Sequence, residues 1–379
     1  MQTRGGATCL NSTMTTDYLI ELSGEFPHLA REEARSVLAA HSIEVVEHES
    51  HPAIPLFGFA STGAEADIRT AFLRMGMAWN LNRVLVQTPA PDPGSEDSWL
   101  SDLLAGLDQS DIPEGSVRVD AKILAPDVVT VYSADLRAQV KHRLGELVTR
   151  HRQVDLTHPQ VIVRAILADG ATVAIKLAAI DRTSFEERRS GFRPYTQPIS
   201  LHPRLARAWI NSGRVPAGGT VYDPFCGTGG LLLEAGLTGL RMIGSDRDPA
   251  MVAGAGDNIR HGLPGSEPVL VPADVGQVID VITRPVDAIV TDPPYGRSTA
   301  TGKEPIGSLY ERMFAPMATV LKPGARLVIA LPRQGAETVE FYRHCFENCF
   351  HLHEVFPLFV HKSLTRLLFV LIKKDEQAP

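Results

Sequence analysis

Cysteine is scarce in this chain, and what is missing narrows the reading before any motif does. Four cysteines in 379 residues, Cys9, Cys226, Cys345 and Cys349, offer no disulfide framework. Cys345 and Cys349 are four apart, one face of a helix, but no second pair exists to complete a zinc site. Buried reduced thiols are the expectation, with no metal and a reducing, cytoplasmic setting. No apolar run reaches the roughly 18 residues that a membrane span needs. The first residues contain Arg4 but no apolar stretch after it, which excludes a secretory signal. Met14 offers an alternative start, and Met1–Met14 is left out of the fold as a disordered or mis-started N-terminus. No internal repeat is visible. Nor is there an overall basic excess: net charge is −7.

The chain does have ample core. Hydrophobic residues make up 44% and charged residues 21%, as in soluble globular chains, and the length calls for two or three domains. Charge is unevenly spread. From Leu136 to Arg214 there are 14 Lys/Arg against 6 Asp/Glu, which is +8 there and −15 over the rest. A solvated helix face would account for this, and so would a local phosphate-binding surface on an otherwise acidic protein.

Periodicity divides the chain in two. In the front half, Asp17–Leu22 reads as a strand, Phe26–Leu38 as a helix exposing Arg31–Glu32–Glu33, and Ile43–Glu47 as a strand. Within Ile68–Gln87, the stretch AFLRMGMAWNL reads as a helix running into the strand RVLVQ. A helix at Trp99–Leu107, a strand at Ser116–Ile123, a helix at Ala134–Thr149 and a strand pair at Gln160–Ile166 and Thr172–Ala179 follow. Pro91–Pro93 with Gly94–Ser95 marks a boundary, which gives an α+β subdomain over residues 17–90 and a second domain over 91–185. Asp181–Gly218 is rich in Arg, Pro and Gly. It reads as a linker, assigned to 186–215, with a helix at Pro203–Asn211. Residues 216–379 alternate regularly, with strands at Thr220–Tyr222, Met242–Ser245, Val269–Val271, Ala288–Thr291, Leu327–Leu331, His353–Val360 and Leu367–Ile372. Helices fall at Gly230–Leu240, Pro249–Ile259, Leu309–Leu321 and Glu337–Asn348. This is a doubly wound α/β sheet whose last two strands, joined by a short turn, must pair antiparallel.

Four strand ends carry candidate chemistry. Val221–Ala235, VYDPFCGTGGLLLEA, ends a strand on an acid and opens a helix from a glycine turn. Gly227 and Gly229 permit a close ligand approach, and Asp223 can hold the ammonium of an amino-acid moiety. The spacing is shorter than the dinucleotide fingerprint and there is no P-loop lysine. Asp246 ends the next strand about twenty residues on, where an acid bonds ribose hydroxyls. Arg247 is a weaker candidate, and Asp248 reads equally as an N-cap before Pro249. Asp274, after the third strand, would meet an adenine amino group. The strongest signal is Asp292–Pro293–Pro294–Tyr295 after a buried apolar strand. A base amine is a poor nucleophile because its lone pair is delocalised into the ring. Asp292 can accept one N–H, and the Pro293 carbonyl, restrained by Pro294, can accept the other. The lone pair is then aimed at a methyl sulfonium. Tyr295 offers a face on which the base stacks.

These residues carry a resemblance. Asp223–Gly230 and Asp292–Tyr295 resemble motifs I and IV of class I amino-methyltransferases, with Asp rather than Asn at 292 as in the enzymes acting on nucleic-acid bases. Leu144–Arg189, through Val154–Asp155–Leu156 and His158–Pro159, resembles the end of a THUMP RNA-binding domain. Arg193–Pro194–Tyr195 and His202–Arg207 resemble the linker of the archaeal tRNA guanosine-10 N2-methyltransferases. The resemblance implies a class I Rossmann-like α/β methyltransferase domain preceded by an α+β, THUMP-containing RNA-binding region. It implies S-adenosyl-L-methionine as cofactor, tRNA as partner, no membrane, and N2-methyl- or N2,N2-dimethylguanosine as product. On that reading Asp223, Phe225, Gly227, Gly229, Asp246, Arg247, Asp274, Asp292 and Gln197 border the cofactor, with Thr196 and Pro198 beside Gln197. Arg188, Arg189 and Arg193 face RNA. A monomer is compatible with everything above. A DNA adenine or cytosine methyltransferase would share the second half but should carry its recognition domain within or after it. A non-catalytic RNA-binding protein would not need the intact acid and glycine set.

Overall fold

A computed structural model describes residues 15–197, 201–295, 304–333, 338–361 and 364–375. Met1–Met14, Pro198 and Gly296 therefore lie outside the described residues.

The chain forms two compact units. One holds the chain up to Ile20 with Ile43–Ile68 and Leu81–Leu177. The other holds Glu21–Ser42, Arg69–Asn80 and everything from Ala178 onward. In chain order the elements up to the linker are β1 (Thr16–Leu22), α1 (Pro27–Ala40), β2 (Val46–Glu47), β3 (Leu56–Ser61), α2 (Glu65–Leu73), β4 (Ala78–Pro89), α3 (Glu96–Ala105), β5 (Val117–Ile123), α4 (Ala134–Thr149), β6 (Val161–Leu167) and β7 (Gly170–Ala179). Their sheet has the order β2-β3-β1-β4-β7-β6-β5. Leu100, Leu103, Val140, Leu144 and Val148, at helical spacing on α3 and α4, are fully buried with Val117, Val163 and Val173 of the sheet.

Three expectations for this half are corrected. AFLRMGMAWNL is not one helix: α2 ends at Leu73 and Ala78 already belongs to β4. Met75, Met77, Ala78 and Leu81 are all buried, and a continuous apolar run of this length fits either element. Ile43–Glu47 shrinks to the two residues of β2, while β3 was not anticipated. Arg31, Glu32 and Glu33 are not exposed but buried, at 8%, 2% and 0%.

That burial explains why α1 belongs to the second unit. Glu33 accepts hydrogen bonds from Gly76 N, Met77 N and Asn211 Nδ2, each at 2.7 Å. Glu32 pairs with Arg326 at 2.7 Å, and Arg326 also donates to Ser36 Oγ and the Ser212 carbonyl. Buried charges survive only when so engaged. A guanidinium thus already fills the one place among the described residues where a His and two acids, Glu32, His353 and Glu354, gather.

The second unit continues with α5 (Thr183–Glu187), α6 (Pro203–Ser212), β8 (Thr220–Asp223), α7 (Gly230–Leu237), β9 (Arg241–Asp246), α8 (Pro249–Gly262), β10 (Val269–Pro272), α9 (Val278–Val281), β11 (Val286–Thr291), α10 (Ile306–Val320), β12 (Leu321–Arg333), α11 (Val339–Phe346), β13 (Phe350–His361) and β14 (Leu364–Lys373). Strand order is β10-β9-β8-β11-β12-β14-β13. All neighbours from β10 to β12 run parallel, and β14 lies antiparallel between β12 and β13, as the short turn required. The order reverses between β8 and β11, so a crevice opens at their carboxyl ends, where open α/β sheets take ligands. No helix among the described residues is long and apolar enough to cross a membrane.

Candidate active site

The carboxyl ends of β8, β9 and β11 bring Asp223, Asp246 and Asp292 to the switch point. Asp223 is 1% exposed. It accepts from Phe225 N at 3.1 Å and from Thr291 Oγ1 at 2.6 Å, which ties the glycine turn to the strand leading into Asp292. Its carboxylate is therefore enclosed beneath the turn and shapes it. Burial, helped by the charges of Asp246 and Asp292 and opposed by its two hydrogen bonds, pushes its pKa up to about 7.

Gly227 and Gly229 both adopt left-handed backbone, with φ of +48° and +77°, which explains glycine at each. At Gly229 a Cβ would also lie 3.0 Å from Ala255 Cβ of α8. At Gly227 it would meet nothing closer than the Phe225 carbonyl at 4.0 Å, so the space above that turn is open. Asp246 accepts from Gly227 N at 3.1 Å and from Asp248 N at 3.0 Å. Burial raises its pKa above the ordinary carboxylate value. Phe225 is half-buried against the core, and Arg247 is exposed. Asp248 is the N-cap of α8, accepting from Ala250 N at 2.9 Å ahead of Pro249.

Asp274 has a structural engagement that the strand-end argument missed. It caps a short 3₁₀ turn in a capping box with Gln277, and Arg312 grips its two oxygens at 2.7 and 3.1 Å. The Arg312 hydrogen bonds hold its pKa below the usual range. Any adenine contact would share this carboxylate with Arg312.

Asp292 meets Tyr295 and Arg366. The Tyr295 hydroxyl donates to Asp292 Oδ1, and Arg366 Nη2 lies 3.5 Å from Oδ2. Burial raises the Asp292 pKa, opposed by the Arg366 charge and the Tyr295 hydroxyl. The Tyr295 hydroxyl thus occupies one oxygen of the Asp292 carboxylate. The Tyr310 hydroxyl donates to the Pro294 carbonyl at 2.9 Å and pins the loop from α10. Arg366 and Tyr310 both escaped the sequence reading.

The linker approaches the same crevice. Asn258 of α8 accepts from Tyr195 N at 2.9 Å and donates to the carbonyls of Tyr195 and Thr228. Tyr195 lies flat against Gly254, where a Cβ would come within 2.2 Å of its ring. Thr196 and Gln197 consequently follow directly from a residue fastened to the glycine turn.

Two of the three expected RNA-facing arginines are corrected. Arg188 pairs with fully buried Glu234 at 2.9 Å, and Arg193 is 7% exposed, its guanidinium turned against Gly230. Glu234 also binds Arg207 at 2.7 Å, so these side chains neutralise an interior acid. Arg189 is the exposed one, at 59%, loosely paired with Glu186 at 3.3 Å.

Burial raises the pKa values of Asp223 and Asp246 beside an open glycine turn, and a sulfonium carrying an amino-acid ammonium would place positive charge there.

Comparisons with known proteins bear on the family and the fold. A family model for an RMKL-like methyltransferase domain matches residues 190–356. The tRNA (guanine(10)-N2)-dimethyltransferase of Methanothermobacter thermautotrophicus is 30% identical over 94% of this chain and 99% of its own length. That of Methanocaldococcus jannaschii is 32% identical over 72% of this chain and 75% of its own. Among solved structures, TrmN from Thermus thermophilus superposes with a TM-score of 0.54 at 20% identity, covering 94% of this chain and 99% of that one. At that identity the likeness speaks for the fold.

Proposed function

The chain belongs to the archaeal tRNA (guanine(10)-N2)-dimethyltransferase family, and from that premise we propose that it methylates the exocyclic N2 amine of guanosine 10 in tRNA. The products are N2-methyl- and then N2,N2-dimethylguanosine. The observation that carries the reading is the Asp292–Tyr295 turn set at the end of β11 beside the enclosed Asp223 and Asp246. S-adenosyl-L-methionine supplies an electrophilic methyl on a sulfonium.

Around it, this chain's residues bind and orient. The turn at Gly227 and Gly229 gives the backbone room to approach the cofactor, and Asp246, at the end of β9, is placed for its ribose hydroxyls. Phe225, Arg247 and Gln197 border the same cleft, and Asp274 lies further along it. Asp223 holds the turn in shape and adds negative charge beneath the cation. Asp292 accepts one N–H of the target amine, the Pro293 carbonyl accepts the other, and the nitrogen lone pair is left pointing at the methyl group. As nitrogen takes the methyl group, the methyl–sulfur bond would break to leave a neutral thioether, and Asp292 would stabilise the positive charge developing on nitrogen. The transferred methyl replaces an N–H proton, which leaves through Asp292. Tyr295, swung off Asp292, stacks on the extruded base.

The front unit, with its resemblance to a THUMP domain, docks the tRNA through phosphates and shape, and in the second unit exposed Arg189 suits a phosphate contact better than Arg188 or Arg193.

Nucleoside mass spectrometry of a tRNA transcript incubated with protein and cofactor tests the proposal. Guanosine carrying one and then two methyl groups is expected, and it should vanish when guanosine 10 is replaced by adenosine. Methylated adenine or cytosine in plasmid DNA, with unmodified tRNA, would refute it.

A further inference from the structure

Arg366 is buried in a place where burial needs a reason. It sits on β14 between Pro332 of β12 and Leu358 of β13 and is 7% exposed. Its guanidinium carbon lies 5.5 Å from the centre of the Tyr295 ring. Its one ion-pair partner among the described residues is Asp292, with Nη2 at 3.5 Å from Oδ2, too long for a hydrogen bond. Its Nε–H is buried with no acceptor among the described residues. A buried donor left unsatisfied is costly, and an acceptor brought by a bound base would relieve it. A carboxylate with a guanidinium beside it offers acceptors followed by donors along one line.

Guanine presents the complementary line on its Watson–Crick edge: the N2 and N1 donors, then the O6 acceptor. Adenine follows its amine with a ring-nitrogen acceptor, and cytosine follows its amine with two acceptors. Either would set a lone pair against the Asp292 carboxylate.

We propose that Asp292 and Arg366 together read the edge of the target base. Asp292 takes the N2–H and N1–H of guanine, Arg366 donates to O6, and the second N2–H is left to the Pro293 carbonyl. This inference rests on the guanine-N2 reading above and adds the residue that sets base identity. It also gives the antiparallel strand β14 a role: it carries a donor back over the end of β11 from a part of the chain far from the catalytic turn.

The test uses full-length protein and tRNA ligated from synthetic halves, with guanine, 2-aminopurine or 2,6-diaminopurine at the target position. All three carry the amine that is methylated. Both analogues lack the N1–H of guanine, so the Arg366 contact is read from how the variant changes the guanine to 2-aminopurine ratio rather than from that ratio itself. The analogues differ from each other only at position 6. Single-turnover transfer of labelled methyl is read against an adenosine control. A direct base contact corresponds to a discrimination of about 10- to 100-fold. Arg366→Met should lower the guanine to 2-aminopurine ratio of kcat/KM by that factor, because 2-aminopurine has no O6 to lose. Equal losses on both bases would show that Arg366 only positions Asp292 and would overturn the proposal.

A second comparison needs no variant. On the wild-type protein, 2,6-diaminopurine should react several-fold more slowly than 2-aminopurine, because it sets an N–H against the guanidinium where the other has only C–H. An equal or faster rate overturns the proposal. Failure of the wild type to methylate guanosine at all would overturn the function itself, which the ratios do not address.

Discussion

Replacing Asp223 by asparagine isolates a charge that the fold holds at a disadvantage. Asparagine keeps an oxygen for Phe225 N–H and the Thr291 hydroxyl, so the turn retains its hydrogen bonds while the titration disappears. In the folded chain burial pushes the Asp223 pKa from 3.8 to about 7. Its folded pKa is thus raised. The stability it contributes is fully present below the unfolded value and is lost as pH climbs through about 7. At about 1.4 kcal/mol per unit, the full effect is bounded near ~4 kcal/mol, and neighbouring carboxylates relaxing around the site will reduce it. Denaturant unfolding of both cofactor-free proteins across pH 4 to 8, followed by a probe in the catalytic unit, reads the difference directly. The asparagine variant should match the wild type near pH 4 and exceed it increasingly toward pH 7, with a plateau above. Cofactor binding should show the mirror image: wild-type affinity for S-adenosylmethionine rises over the same window, as the cation draws the proton off, and the variant shows a flatter profile. A stability difference that does not change with pH would mean that Asp223 is not the titrating group, and the acid-cluster argument would fail with it.

Asp292→Ala should reduce methyl transfer by at least about 100-fold, because an oriented transition-state hydrogen bond is lost. Calorimetry should find cofactor affinity within about tenfold of wild type, and near-normal turnover would sink the assignment. Asp246→Ala should weaken cofactor binding by about 1.5–3 kcal/mol through lost charge-assisted bonds, with turnover largely recovering at saturation. Unchanged affinity would move the ribose contact elsewhere. Arg188→Glu and Arg189→Glu should separate cleanly. The first sets a like charge against buried Glu234 and should lower the melting temperature markedly. The second should leave melting within about a degree and weaken tRNA binding, with a shallower salt dependence.

The catalytic half was legible because each of its signals is local. Strands buried on both faces with helices between them write an alternating pattern, and the acids that end β8, β9 and β11 follow those strands immediately. Asp248 announced its cap because Pro249 comes next. What failed was long-range. The sequence places Arg31–Glu33 on what reads as a solvent face, and partners distant in sequence, Gly76, Met77, Asn211 and Arg326 among them, make that face interior. Arg188 and Arg193 counted toward a basic surface because composition cannot see buried Glu234. Asp274 looked like a free strand-end acid because Arg312, its partner, lies on α10 beyond the catalytic turn. Tyr310 and Arg366 contact that turn from α10 and β14, and no spacing rule links them to Asp292.

The same long-range contacts decide what a truncation can test. A fragment beginning near Phe192 contains every strand of the second sheet and every acid of the site, so it looks like a self-sufficient methyltransferase lacking its RNA-binding module. It is not complete. It loses Glu32, leaving Arg326 buried at 5% without its carboxylate, and it loses Glu33, the acceptor for Asn211 Nδ2. Removing one partner of a buried ion pair costs about 3–5 kcal/mol. Native chains have only about 5–15 kcal/mol in hand. The apolar side of α1 goes too, with Leu29, Ala30 and Val37 buried at 1% or less. The fragment should therefore melt far below the full chain and bind S-adenosylmethionine poorly, so its inactivity on tRNA would say nothing about docking. Adding Arg326→Met to the fragment would remove the guanidinium left without Glu32 but would not restore α1. A thermal melt with and without cofactor decides the matter. If the fragment melts within a few degrees of the full chain and binds cofactor normally, then α1 is dispensable, the buried Glu32–Arg326 and Glu33–Asn211 contacts contribute little, and the reasoning that places α1 in the catalytic unit is wrong.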